Sequence, residues 1–185
     1  MMFDIEKFTE DCRAAIKDTD SLKAVREVVQ EAVSDPQGII QALGEPTQGT
    51  VNCVYRSEDL TIINPIWAPR MTIMPHNHNM WAVIGVYAGR EDNIFWRRIK
   101  DDPDGHIEAA GADSLGSGNV KPLGQNIIHS VTNPTGGFTS ALHVYGGNFY
   151  EEHRSEWDPV DLTEQEYDIE KNMRLFEEAN AVLQR

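Results

Sequence analysis

The chain of 185 residues is long enough to bury a sizeable core, and with 40% hydrophobic and 25% charged residues it has a globular composition rather than a disordered one. A net charge of −14 repels phosphate and so argues against nucleic acid or an anionic membrane as partner. No apolar run approaches the roughly 18 residues that a membrane-spanning helix needs. The acidic start, MMFDIEKFTEDC, lacks the charged-then-apolar layout of a signal peptide. Cys12 and Cys53 make no CxxC pair or disulfide framework, so a reducing cytoplasm is the expected compartment, with Cys53 buried in a strand.

A helical period runs through the first 45 residues. Ile5, Phe8, Cys12 and Ile16 recur every three or four residues, and Leu22, Val25, Val28, Val29 and Val33 do so again behind Asp20 or Ser21 as a cap. A last short turn ends at Gly44 and Pro46. From about Thr50 the pattern changes to short β-rich runs, VNCVYR, LTIINPIW, RMTIM, WAVIGVY, NIFWRRI, HSVTN and FTSALHVY, separated by Gly, Pro, Asn and Asp. Many short strands predict an antiparallel barrel or sandwich, the jelly roll among them. The helical period returns at Leu162, with Thr163 as its cap. The expected organisation is mainly β: a helical extension over residues 1–48, a barrel over 49–160 and a C-terminal helix over 161–185 packed on it.

The chemistry concentrates around RMTIMPHNHNMWAVIGVYAG, residues 70–89. Residues i and i+2 of a strand share a face, so His76 and His78 project side by side, as two imidazoles gripping one metal ion would. His129 opens another strand after a Pro-x-Gly turn in GSGNVKPLGQNIIHSVTNP. Three imidazoles suit Zn, Fe, Ni or Cu. His106, in an acidic turn, and His153, in YEEHR, read as surface residues, and Arg97, Arg98 and Lys100 as a solvated strand end.

These two stretches resemble the paired motifs of the cupins, a family of small double-stranded β-helix (jelly-roll) barrels. His76, His78 and Gly89 fit the first motif, with Arg70 where its first glycine stands and Ala82 where its metal-binding glutamate stands. Gly116, Pro122, Gly124, His129 and Asn133 fit the second, with two extra residues before the histidine. A glutamate-free three-histidine site resembles the thiol dioxygenases, cysteine dioxygenase and the bacterial 3-mercaptopropionate dioxygenases, and HNHNMWAVIGVYAGRE resembles the bacterial branch. The resemblance implies Fe(II) on His76, His78 and His129, with Zn or Ni possible in purified protein, and a small thiol and O₂ as partners. It also implies a Ser-x-His-x-Tyr relay. His143 and Tyr145 match it, but Ala141 fills the serine position and Ser140 faces the other way, leaving the relay truncated or completed by water. No cysteine follows the His pair, so no Cys–Tyr crosslink is expected.

A substrate carboxylate needs a cation, and guanidinium is its natural bidentate partner. Arg154, nine residues after Tyr145 as in the bacterial group, is the first candidate, though neighbouring glutamates offer it a local ion pair. Arg70 is the second and Arg56 the third. Trp81 is a candidate substrate wall; it and Trp67 also suit core packing. The expected activity is oxidation of cysteine or a 3-mercaptopropionate-like thiol to its sulfinate. The alternatives are a non-catalytic metal-binding cupin acting as a small-molecule sensor, or a cupin dioxygenase on a non-thiol substrate.

Overall fold

The computed structural model describes residues 3–183. Three helices open the chain: α1 (Ile5–Ala15), α2 (Ser21–Val33) and α3 (Pro36–Leu43). Each starts behind an aspartate, Asp4, Asp20 and Asp35, whose side chain accepts from backbone N–H groups of the first turn. Pro36 directly after Asp35 makes the expected short turn an eight-residue helix. Phe8, Cys12, Val25, Val29, Val33 and Ile39 bury their faces against Leu60, Ile62, Val83, Leu142 and Val144. Each such fully buried aliphatic side chain contributes about 1.5–3 kcal/mol. Gly85 permits this approach, since a Cβ there would stand 2.4 Å from Val29 Cγ1.

Eleven strands follow: β1 (Thr50–Arg56), β2 (Thr61–Trp67), β3 (Thr72–Asn77), β4 (Ala82–Ala88), β5 (Arg90–Arg98), β6 (Ile107–Gly116), β7 (Val120–Leu123), β8 (Ile128–Thr132), β9 (Thr139–Tyr145), β10 (Ser155–Trp157) and β11 (Glu164–Glu166). They form one sheet in the order β1-β2-β9-β4-β7 and another in the order β11-β10-β3-β8-β5-β6, with every pairing antiparallel. From β2 to β5 each step along the chain changes sheet, β5–β6 is a hairpin, and from β6 to β9 each step changes sheet again. That winding is a double-stranded β-helix, the jelly-roll barrel expected from the sequence.

Strand alternation divides the side chains. Val83 and Tyr87 of β4 and Leu142 and Val144 of β9 meet the N-terminal helices. Ala82, Ile84, Val86, Ala141 and Tyr145 point into the barrel.

Three expectations need correction. The C-terminal helix, α4, is Ile169–Leu183, and residues 164–166 ahead of it are β11, paired with β10. Strand pairing and the Arg98–Glu164 ion pair override the helical period there. The Thr163 hydroxyl donates to Asp161, and it is the Asp168 carboxylate that accepts from the backbone N–H of Lys171 in the first turn. Cys53 is exposed, because β1 is an edge strand with a bulge beyond that residue; Cys12 is buried, and both are free thiols. Among the described residues, no helix is long and apolar enough to cross a membrane.

Candidate metal centre

His76 lies on β3 directly opposite His129 on β8. Between Ile73 and His76, β3 carries one residue more than β8 carries between Val131 and His129, a β-bulge at Met74–Pro75. The extra residue turns Ile73 and His76 to the same inner face, and proline is tolerated because a bulge frees its position from the ladder. The bulge also supplies the Met74 carbonyl, which accepts from His76 Nδ1 at 2.9 Å. His78 stands just past the strand end, and all three rings are buried.

The Nε2 atoms of His76 and His78 are 3.3 Å apart, as are those of His78 and His129. Metal–nitrogen bonds of about 2.0–2.1 Å at octahedral to tetrahedral angles place ligand nitrogens about 2.8–3.4 Å apart. Burial lowers the pKa of all three, to about 4 for His76 and well below the ordinary value for His78 and His129. The imidazoles are therefore neutral, as ligation requires. Neutral nitrogens converging without donors between them suit a cation, so the donor set fits a metal ion. Ala82, where a glutamate ligand would stand in the cupin pattern, is fully buried beside Tyr145 and offers no donor.

The triad opens into a cavity of about 70 Å³. His143 and Tyr145 share it, with walls from Ile63, Trp67, Val131 and Phe149, and α4 covers it with Asn172, Met173 and Phe176. His143 Nδ1 lies 3.0 Å from the Tyr145 hydroxyl, and the Tyr145 ring packs against His78 at 5.0 Å. Burial pushes the Tyr145 phenol far above its ordinary pKa.

Arg154 is only 6% exposed, and its guanidinium is stacked between the Phe149 ring at 3.8 Å and the Tyr167 ring at 3.9 Å. It stands one layer behind the cavity, whose walls include both rings. The expected local ion pair is absent among the described residues. Glu151 pairs with Arg56, Glu156 with Lys171, and Arg154 Nη1 has no hydrogen-bond partner. Burial lowers the Arg154 pKa.

The other three substrate-binding candidates stand elsewhere, and Arg56, paired with Glu151, does not line the cavity. Arg70 is exposed in a left-handed turn (φ 64), donates to the Pro134 carbonyl and does not line the cavity. Trp81 is on the face of Val83, turned to the helix side by alternation, where it packs against the helical core. Trp67 lines the cavity and stacks on Phe176. His153 is exposed, as expected, whereas His106 is half-buried and bonds Asp102.

The sequence reading missed two residues. Glu91 and Asn93 are buried on β5, where Glu91 Oε2 is 3.4 Å from His143 Nε2 and Asn93 Oδ1 is 2.7 Å from His129 Nδ1. The His143–Tyr145 pair therefore has a carboxylate as its neighbour, on the side where a serine or water was expected. Their spacing was the available signal, since Glu91, Asn93 and the apolar Phe95 alternate on one face of a strand.

No protein-family model matches the chain. Among solved structures it is similar to a cupin family protein with a double-stranded β-helix fold from Methanocaldococcus jannaschii, at 11% identity and a TM-score of 0.46, over 58% of this chain and 87% of that one. A conserved protein of unknown function from Streptococcus pyogenes matches at 14% identity and a TM-score of 0.44, over 56% of this chain and 77% of that one. A Bacillus subtilis oxalate decarboxylase mutant matches at 17% identity and a TM-score of 0.43, over 56% of this chain and only 27% of its own.

Proposed function

We propose that the protein is a non-haem Fe(II) thiol dioxygenase that converts a small acidic thiol to its sulfinate. The observation that carries this reading is the neutral His76–His78–His129 triad sharing one cavity with the His143–Tyr145 pair, with no carboxylate among the ligands. A dication on three neutral imidazoles keeps its full charge and favours an anionic co-ligand, and a thiolate satisfies that. Iron held by His76, His78 and His129 would supply the activation of thiol and O₂ that the side chains cannot. The reaction balances as R–SH plus O₂ giving R–SO₂H, with both oxygen atoms on sulfur and no external reductant.

The chain's own residues hold and orient. The Tyr145 hydroxyl, neutral because it is buried, offers a proton donor at the cavity and exchanges protons with His143 Nδ1. Apolar walls and the α4 cover keep bulk water from the site. Arg154 supports a carboxylate-bearing substrate, because a buried guanidinium with a free N–H is costly unless an anion completes it.

Iron-loaded protein should consume O₂ and form sulfinate in equal amounts with at least one thiol among cysteine, 3-mercaptopropionate and cysteamine. No product with any of them would reject the reading. Absence of a serine at Ala141 favours one alternative, a metal-holding sensor; stoichiometric Zn in the purified protein without O₂ uptake would support it.

Arg154→Lys keeps the charge but loses the planar fork and part of the ring stacking. A charge-assisted contact is worth about 1.5–3 kcal/mol, so the KM for an acidic thiol should rise about tenfold. Cysteamine, which has no carboxylate, serves as the control and should be unaffected. Equal KM values for the acidic thiol in both proteins would remove Arg154 from the site.

A further inference from the structure

One buried carboxylate has a place in the network but no part in the chemistry above. Glu91, fully buried on β5, accepts from two donors, Trp67 Nε1 at 3.1 Å and Asn93 Nδ2 at 3.0 Å, and its Oε2 faces His143 Nε2 at 3.4 Å, an atom that has no other partner among the described residues. Burial opposes its ionisation, but the His143 interaction and the Asn93 and Trp67 hydrogen bonds outweigh it and hold the carboxyl below its ordinary pKa. An ionised carboxylate only accepts hydrogen bonds, and that fixes everything around it.

Towards the metal, Asn93 must turn its NH₂ to Glu91, so its Oδ1 faces His129 Nδ1 at 2.7 Å. An amide oxygen is an acceptor, so the His129 proton sits on Nδ1 and the Nε2 lone pair points at the triad. Towards the relay, His143 turns an Nε2–H to Glu91, leaving Nδ1 to accept from the Tyr145 hydroxyl at 3.0 Å. The chain of contacts crosses the barrel, from β8 and β5 of the six-stranded sheet to β9 of the five-stranded one.

We propose that Glu91 is a positioning residue that sets two histidine tautomers at once, His129 through Asn93 for metal ligation and His143 directly for the proton relay. The inference rests on the three-histidine metal centre but not on the thiol substrate.

Glu91→Gln makes the idea decidable, because glutamine has one acceptor oxygen where glutamate has two. If its NH₂ faces Asn93, that amide must flip, its NH₂ then meets His129 Nδ1, and the His129 proton moves to Nε2. If its NH₂ faces His143 instead, that ring must accept at Nε2 and carry its proton on Nδ1. Either way one histidine changes tautomer. Long-range ¹H–¹⁵N spectra of the metal-free, full-length protein with ¹⁵N-labelled histidine read this directly, with no iron or thiol present.

The wild type should show His129 as the Nδ1–H form and His143 as the Nε2–H form. In the Gln variant one of the two should switch or become mixed. A switch at His129 should also lower metal affinity about 10–100-fold in a chelator competition, as loss of an outer-shell partner does. Asn93→Ala, which cuts only the metal branch, should disturb His129 and leave His143 as it was. Unchanged tautomers at both histidines in a folded Gln variant would overturn the proposal, and so would a wild-type His143 protonated on Nδ1. Neither outcome would bear on the dioxygenase reading, which stands or falls on O₂ uptake.

Discussion

His129→Ala should strip the protein of its metal and leave the barrel folded. The substitution removes one of three nitrogen donors, and two imidazoles cannot hold a divalent ion against solvent and chelators as three can. Outer-shell changes alone cost about 10–100-fold in metal affinity, so loss of a ligand should exceed about 10²-fold. Folding should survive because the helix-facing core of Val25, Val29, Leu60, Val83 and Leu142 lies on the other side of the sheet from the triad. The cost to the fold is local: Asn93 Oδ1 loses its donor, a buried unsatisfied group worth about 1–3 kcal/mol. Part of this is offset, since the variant no longer crowds three lone pairs together in the metal-free state. Metal analysis after dialysis, with a thermal melt beside it, separates the two effects. A folded Ala variant that keeps its full metal content would mean that the ion sits elsewhere.

Most of the fold was legible because its signals are local. Spacing alone brought out the helices behind Asp4 and Asp20 and the inward alternation of Ala141, His143 and Tyr145, while the helix behind Asp35 showed only as a short turn. Residues 164–166 misled because a helical period is a local preference, whereas β11 exists through its pairing with β10, Glu166 opposite Ser155 and Glu164 opposite Trp157. His76 converges with His78 and His129 for a reason that the strand period supplies only in part. Strand period two accounts for its relation to His78, but it is the Met74–Pro75 bulge that aims it at His129, and a bulge is defined only against the partner strand. Glu91, in GREDN, falls between the WAVIGVY and NIFWRRI runs, outside any strand the pattern marks. Its role depends on β5 lying beside β8, which puts Phe95 opposite His129, and on the two sheets facing each other across the barrel. Arg154 was singled out by the resemblance, which puts an arginine nine residues after the tyrosine, but its lack of a carboxylate partner was not legible, because Glu151 and Glu156 are claimed by Arg56 and Lys171 from elsewhere in the chain.

Tyr145→Phe should lower kcat by about 10²-fold with iron content unchanged. The ring is 2% exposed and packs against Phe149 at 4.4 Å and His78 at 5.0 Å, and phenylalanine keeps those contacts. What is lost is one hydroxyl at the cavity and its hydrogen bond to His143 Nδ1. Removing a positioned proton donor costs about 10²–10⁴-fold in rate. A relay cut short at Ala141 would justify a smaller figure, but on the proposed reading the Glu91 carboxylate, 3.4 Å from His143 Nε2, stands in for the serine, so the usual range applies. The low end is expected because the hydroxyl assists a reaction whose bond-making belongs to the metal. Burial holds the phenol far above its ordinary pKa, so the group works as a neutral donor, and no limb of the wild-type pH profile below about pH 10 should belong to it. Substrate KM should move little, since the hydroxyl is a proton donor rather than the carboxylate anchor. The decisive comparison is single-turnover sulfinate formation by wild-type and Phe proteins loaded to the same iron content. Equal rates would reduce Tyr145 to a packing residue and leave His143 without a route for its proton to the cavity.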